Sequence, residues 1–163
     1  MSVTVRFESL LDYTDHERRK WRGWLAADAA RLQIPMQPGG RFPTAWALLD
    51  HVFLVERRHL CRLEGGVPPD ATGVAAGDLE ALFDYADLVR RDFRAYLADC
   101  DQAAVEAPFE MTLPSGTFSL PRLKLATHIV LHEVRHFAQL ALAVRIAGHP
   151  PPGEHDFFFY PGT

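Results

Sequence analysis

Residues 120–148 are the stretch that most constrains what this chain can fold into. They read as one long helix, N-capped by Ser119 or Thr117, with Pro121 tolerated in the first turn and Gly148 as the natural stop. Three of the eight histidines, His128, His132 and His136, fall inside it at a strict four-residue spacing. Residues four apart lie one above the other on one helical face. Two imidazoles so related can grip one metal ion, whereas the outer pair, His128 and His136, stands about 12 Å apart. The helix therefore offers two ligands to one ion, as 128/132 or as 132/136. A third has to come from elsewhere.

The rest of the chain supplies the elements such a helix would pack against. Residues 7–33 carry a helical pattern, with Phe7, Leu10, Leu11, Trp21, Trp24, Leu25 and Leu32 on the apolar side and residues 15–20 as a polar face. Ile34-Pro35-Met36-Gln37-Pro38-Gly39-Gly40 breaks it. A second helix starts near Thr44, its N-cap, bears the stripe Trp46, Leu49, Phe53 and Leu60, and closes at Gly65-Gly66. Residues 67–77 form a Pro/Gly/Ala connection. Asp78 caps a third helix whose buried side is expected to hold Leu79, Leu82, Phe83, Ala86, Leu88, Val89, Phe93, Tyr96 and Leu97, with Arg90 and Arg91 suiting the helix dipole. Phe109 to Leu113, a turn at Pro114-Ser115-Gly116, and Thr117 to Ser119 form a short hairpin or a loop with extended arms. The tail aromatics Phe157, Phe158, Phe159 and Tyr160 are too apolar for water and should pack on the bundle or on a second subunit. Four long helices with little else predict an all-α fold, a four-helix bundle, as one domain over residues 1–163.

Composition narrows the function. Hydrophobic residues are 48% and charged residues 23%, as in ordinary globular domains. The net charge is −4, with no basic stripe, so neither nucleic acid nor a membrane surface is an expected partner. No apolar run is long enough to span a bilayer, and the charged start does not resemble a signal peptide, so a cytoplasmic location is expected. Cys61 and Cys100 are expected as reduced thiols.

His51, on the flank of the second helix's apolar stripe, is the candidate third ligand, because bundle metal sites are built from inward side chains on facing helices. Three histidines would leave coordination positions open for water or substrate, as catalytic sites do. His132-Glu133-Val134-Arg135-His136 also matches the His-Glu-x-x-His pattern of zinc peptidases, in which the Glu is the general base. The downstream third His of the longer pattern is absent, and no sheet precedes residue 120 to align an extended peptide.

These segments, taken in order, resemble the DinB/YfiT-like superfamily of metal-binding four-helix bundles. Leu49-Asp50-His51-Val52-Phe53-Leu54-Val55-Glu56-Arg57-Arg58 is similar to its first histidine segment, and Gly116-Thr117-Phe118-Ser119-Leu120 to the lead-in of its last helix. The run from His128 through His132 and His136 to Gln139-Leu140 resembles its histidine signature. Gly148-His149-Pro150-Pro151 with Asp156-Phe157 and Tyr160 resembles its ending. The resemblance implies a metal triad of His51, His132 and His136, with His128 outside it and Glu133 a bystander. Arg135 and Phe137-Ala138 depart from the family pattern and bear on substrate rather than on ligands. Gln139 is a candidate for orienting a neighbour through its amide.

Three imidazoles suit zinc, nickel, iron or copper. The resemblance implies a metal-dependent thiol S-transferase, with a low-molecular-weight thiol as cosubstrate, or a hydrolase, acting on a small molecule. A non-catalytic, stress-linked metal-binding protein is the alternative. The aromatic tail makes a homodimer an expectation.

Overall fold

A computed structural model describes residues 6–36, 40–113 and 115–162; residues 37–39 of the predicted break and Pro114 of the predicted turn lie outside them. In chain order the helices and strands are α1 (Phe7–Ala26), α2 (Ala45–Leu63), α3 (Leu79–Asp99), the short α4 (Gln102–Glu106), β1 (Pro108–Leu113), β2 (Gly116–Pro121) and α5 (Arg122–Ile146). The strands form an antiparallel hairpin in the register Phe109 to Leu120 and Met111 to Phe118. Four long helices with one small hairpin are the expected fold class, that of a four-helix bundle.

The element ends show which local signals prevailed. The helical pattern of residues 7–33 does not run through. At Asp28 the backbone turns extended, the side chain accepts from the Ala30 N–H at 3.0 Å, and a 3-10 turn, Ala29–Gln33, follows. An Asp that offers its own acceptor to the backbone competes with helix continuation. Thr44 caps α2 as expected, its Oγ1 accepting from the Ala47 N–H, and Asp78 caps α3 through the Ala81 N–H at 3.1 Å. The last helix starts at Arg122, not after a cap at 117 or 119, because residues 116–121 are spent in pairing with β1. It stops at Gly148, whose φ of +84° is cheap for glycine, with the His149 N–H bonded to the Val144 carbonyl at 2.9 Å.

The chain divides into two compact units, residues 1–49 with 132–163 and residues 50–131; the divisions fall inside α2 and inside α5, so each of those helices contributes to both. In the first unit Trp21, Leu25, Leu11, Leu140 and Val144 are buried. The tail packs on α1. Phe157 and Tyr160 meet the Tyr13 ring edge-on at 5.3 and 6.0 Å, and the His155 ring stacks on Trp21 at 5.2 Å. His155 Nδ1 lies 2.5 Å from the buried Glu17 carboxylate, and the Tyr13 hydroxyl donates to the His155 carbonyl. Burial, then the charges of Glu17 and Asp156, push the Tyr13 hydroxyl up to about 12. Phe158 and Phe159 stay exposed against each other, so half of the aromatic tail finds its partner within the chain.

In the second unit Phe53 and Phe83 meet edge-on at 5.3 Å among Leu60, Leu82, Val89 and Phe93. Leu88, expected inside, is exposed. Arg90, not among the residues expected on the buried side, is buried and donates from Nε to Glu56 at 2.7 Å. A buried guanidinium is tolerable because a buried carboxylate meets it. The connection after α2 is tied down by Arg58, which donates to the carbonyls of Pro69 and Asp70 at 2.8 Å each. Thr72 donates to Asp50 at 2.6 Å. Cys61 and Cys100 are free thiols. No helix among the described residues is long and apolar enough to cross a membrane.

Candidate metal centre

His132 and His136 sit one turn apart on α5, both buried, with ring centroids 4.3 Å apart. Their Nε2 atoms are 3.1 Å apart. That separation is within what two ligand bonds of about 2.0–2.1 Å to one ion can span. On its other side the His136 ring is held by Gln139, whose Oε1 lies 2.6 Å from Nδ1. With the amide oxygen facing it, Nδ1 carries the proton and Nε2 keeps its lone pair. The edge of Phe42 packs on the same ring at 5.6 Å. Gln139 thus has the orienting position expected of it, three residues on from the group it holds.

His51 completes the constellation. The ligand atoms of His51, His132 and His136 all lie within 4.8 Å of one another, the one such group of three or more found among the described residues. Helix spacing left two pairs open, and the structure brings together the pair that the resemblance selected. His128 is elsewhere: its ring meets the His59 ring at 5.3 Å. His59 had drawn no attention in the sequence. Burial first, then the charges of His128, Arg62 and Arg58, push its pKa down to about 3.

Electrostatics favour the ligating form of His136. Burial lowers the His136 pKa, the bond to Gln139 opposes this, and the charges of Arg135 and Arg41 lower it further. A neutral imidazole is the form that binds metal. No carboxylate belongs to the cluster, so the donor set is wholly neutral. That set suits borderline divalent ions rather than calcium or magnesium.

Glu133 lies outside the histidine cluster and is engaged elsewhere. It is 1% exposed, and both its oxygens are taken by Arg18, from Nε at 2.6 Å and Nη2 at 2.9 Å. A carboxylate held at both oxygens by a guanidinium is poorly placed to take a proton from water. The two-stranded hairpin is the one sheet among the described residues. The His-Glu-x-x-His spacing is therefore present without the free base that a peptidase requires. Sequence reading missed Arg18, which stands between Glu17 and Arg19 in what looks like a solvated charge run. Nothing in the run distinguishes the arginine that turns inward.

The sequence model of the DinB family matches residues 1–160. A solved structure of a DinB-like protein from Bacillus subtilis is similar in fold, with a TM-score of 0.60 and 15% identity, covering 90% of this chain and 97% of that one. No curated protein matches the sequence.

Proposed function

The chain belongs to the DinB family, and on that premise we propose that His51, His132 and His136 hold one divalent ion, zinc, nickel or iron, for a reaction on a small molecule. The observation that carries this reading is the convergence of the three ligand atoms, with the His136 tautomer set by Gln139. Three protein nitrogens leave positions open for a reactant, as in catalytic zinc sites. Before loading, one N–H must bridge the 3.1 Å contact between His132 and His136 Nε2. With His136 Nε2 aprotic, that proton belongs to His132 and would have to move to its Nδ1 for the neutral ring to ligate through Nε2.

A bound ion of this class lends its charge to a thiolate or a water nucleophile. Because the ligands are neutral, that charge is not cancelled by the protein, which favours an anionic reactant. Arg41 and Arg135, whose charges are felt at His136, work in the same direction. We therefore read the protein as a metal-dependent thiol S-transferase or hydrolase, with a low-molecular-weight thiol as cosubstrate in the first case. The exposed Leu142, Ile146 and Phe158 support self-association as a homodimer within the same reading.

The deciding experiment is elemental analysis of purified protein beside His51→Ala and His128→Ala variants. Metal is expected near one equivalent in the parent and in His128→Ala, and near zero in His51→Ala. Equal metal content in all three would remove the triad. Turnover of an electrophile with glutathione, bacillithiol or mycothiol then separates the chemistry. Loaded protein that is inert with every thiol would end the S-transferase reading while leaving the metal site in place.

A further inference from the structure

The second unit contains a cleft of about 500 Å³ beside the C-terminal end of α2 and strand β1, formed without any of the three clustered histidines. Arg58 and Arg62 line it, four residues apart and so on one side of α2. Arg58 donates to the Pro69 and Asp70 carbonyls, and Arg62 donates from Nη1 to His59 Nδ1 at 3.3 Å. All these acceptors are uncharged, and among the described residues neither guanidinium pairs with a carboxylate. Each guanidinium has five N–H donors, so Arg58 has three left and Arg62 four. Both arginines are half-buried. Burial, then the charge of Arg58, lowers the Arg62 pKa, which marks two like charges held together in a partly dry place.

Strand β1 lines the cleft with the apolar Phe109 and Met111 and the polar Glu110 and Thr112. Side chains on β1 alternate, and the half-buried Phe109 and Met111 share the face that is not exposed. Asp70 and Glu110 also line the cleft and engage in no ion pair among the described residues. With the partial negative charge at the C-terminal end of α2, they disfavour a second negative charge on any occupant. We propose that this cleft is a binding site for a small organic monoanion, a carboxylate held by Arg62 and Arg58 with its apolar body on Phe109 and Met111. The guanidinium fork matches the two oxygens of a carboxylate, and the site stands independently of the metal reading.

The test uses the full-length chain, once with metal chelated and once loaded with zinc, followed by amide NMR at Gly65, Gly66 and Met111. The probes are benzoate, the neutral benzyl alcohol, and phenyl phosphate as a dianion. Benzoate is expected to shift these amides saturably in both metal states and to bind more tightly than either other probe. Arg62→Gln should weaken it about tenfold or more, since a hydrogen bond to a charged group is lost in a half-buried place. Arg62→Lys, which keeps the charge without the fork, should fall between, and Glu110→Gln should not weaken it. Should Arg62→Gln fail to fold, Arg62→Lys carries the comparison. No saturable shift, equal binding of benzyl alcohol, tighter binding of phenyl phosphate, or undiminished affinity in the Arg62 variants would each overturn the proposal. A response confined to the zinc-loaded form would overturn it too, because it would place benzoate at the histidines.

Discussion

His132 and Glu133 are neighbours on α5 and both largely hidden from water, yet they belong to opposite kinds of polar region. Glu133 is closed: two charge-assisted bonds from Arg18 satisfy both oxygens. The histidine cluster is open, with three ring nitrogens converging and no charge among them to balance. One residue of helix, a rotation of about 100°, separates the two. The contrast teaches that burial alone does not mark a functional group. What marks a candidate is a set of ligand atoms converging on one point. In the other unit Glu56 is likewise a buried carboxylate met by a buried guanidinium, that of Arg90.

The sharpest way to break the contrast is to open the closed side. Arg18→Ala should cost about 3–5 kcal/mol of stability in denaturant unfolding, because a buried carboxylate is left without its partner. The double variant Arg18→Met with Glu133→Leu should recover most of that loss, since exchanging a buried pair for apolar residues is often neutral. If the double variant were as unstable as the single one, the pair would be doing something other than satisfying itself.

The next effect falls on the open side. Gln139→Ala should weaken metal binding by about 10- to 100-fold, as loss of a group that orients a ligand typically does, with little change in apo-protein stability. Competition with a chelator reads the affinity, and a melting curve of the apo-protein reads the fold. An unchanged affinity would demote Gln139 to a surface residue.

At neutral pH the smallest effect is expected at His59, which is neither an ion-pair member nor one of the clustered three; its contribution shows only on acidification. Its folded pKa of about 3 lies below the ordinary 6.5. Between those values the unfolded chain binds more protons, so stability falls as pH drops from 6.5 towards 3 and is fully present above 6.5. Comparing stability against pH for the parent and His59→Leu isolates this contribution. The variant should lose less stability over that window, and parallel curves would show that His59 titrates normally.

Much of the fold could be read from residue order. Thr44 and Asp78 cap the helices they were expected to cap, and Gly148 ends the last one, because a cap needs no more than a few neighbouring residues. The errors came where two local signals competed or where distant pairing decided. Asp28 ended α1 early, the hairpin took residues 116–121 from α5, and Leu88 is exposed where burial was expected, while Arg90 goes in against Glu56.

The candidate site divides in the same way. Sequence by itself determined that two ligands per ion were available on the last helix, since the rise per turn is a constant of the backbone, and it supplied His51 as a third. Only the tertiary structure decided that the 132/136 pair meets His51, that His128 faces His59, and that Glu133 is bound by Arg18. A helix dictates which of its own residues share a face. It carries no information about which distant side chain will arrive there, and that depends on packing summed over the whole chain.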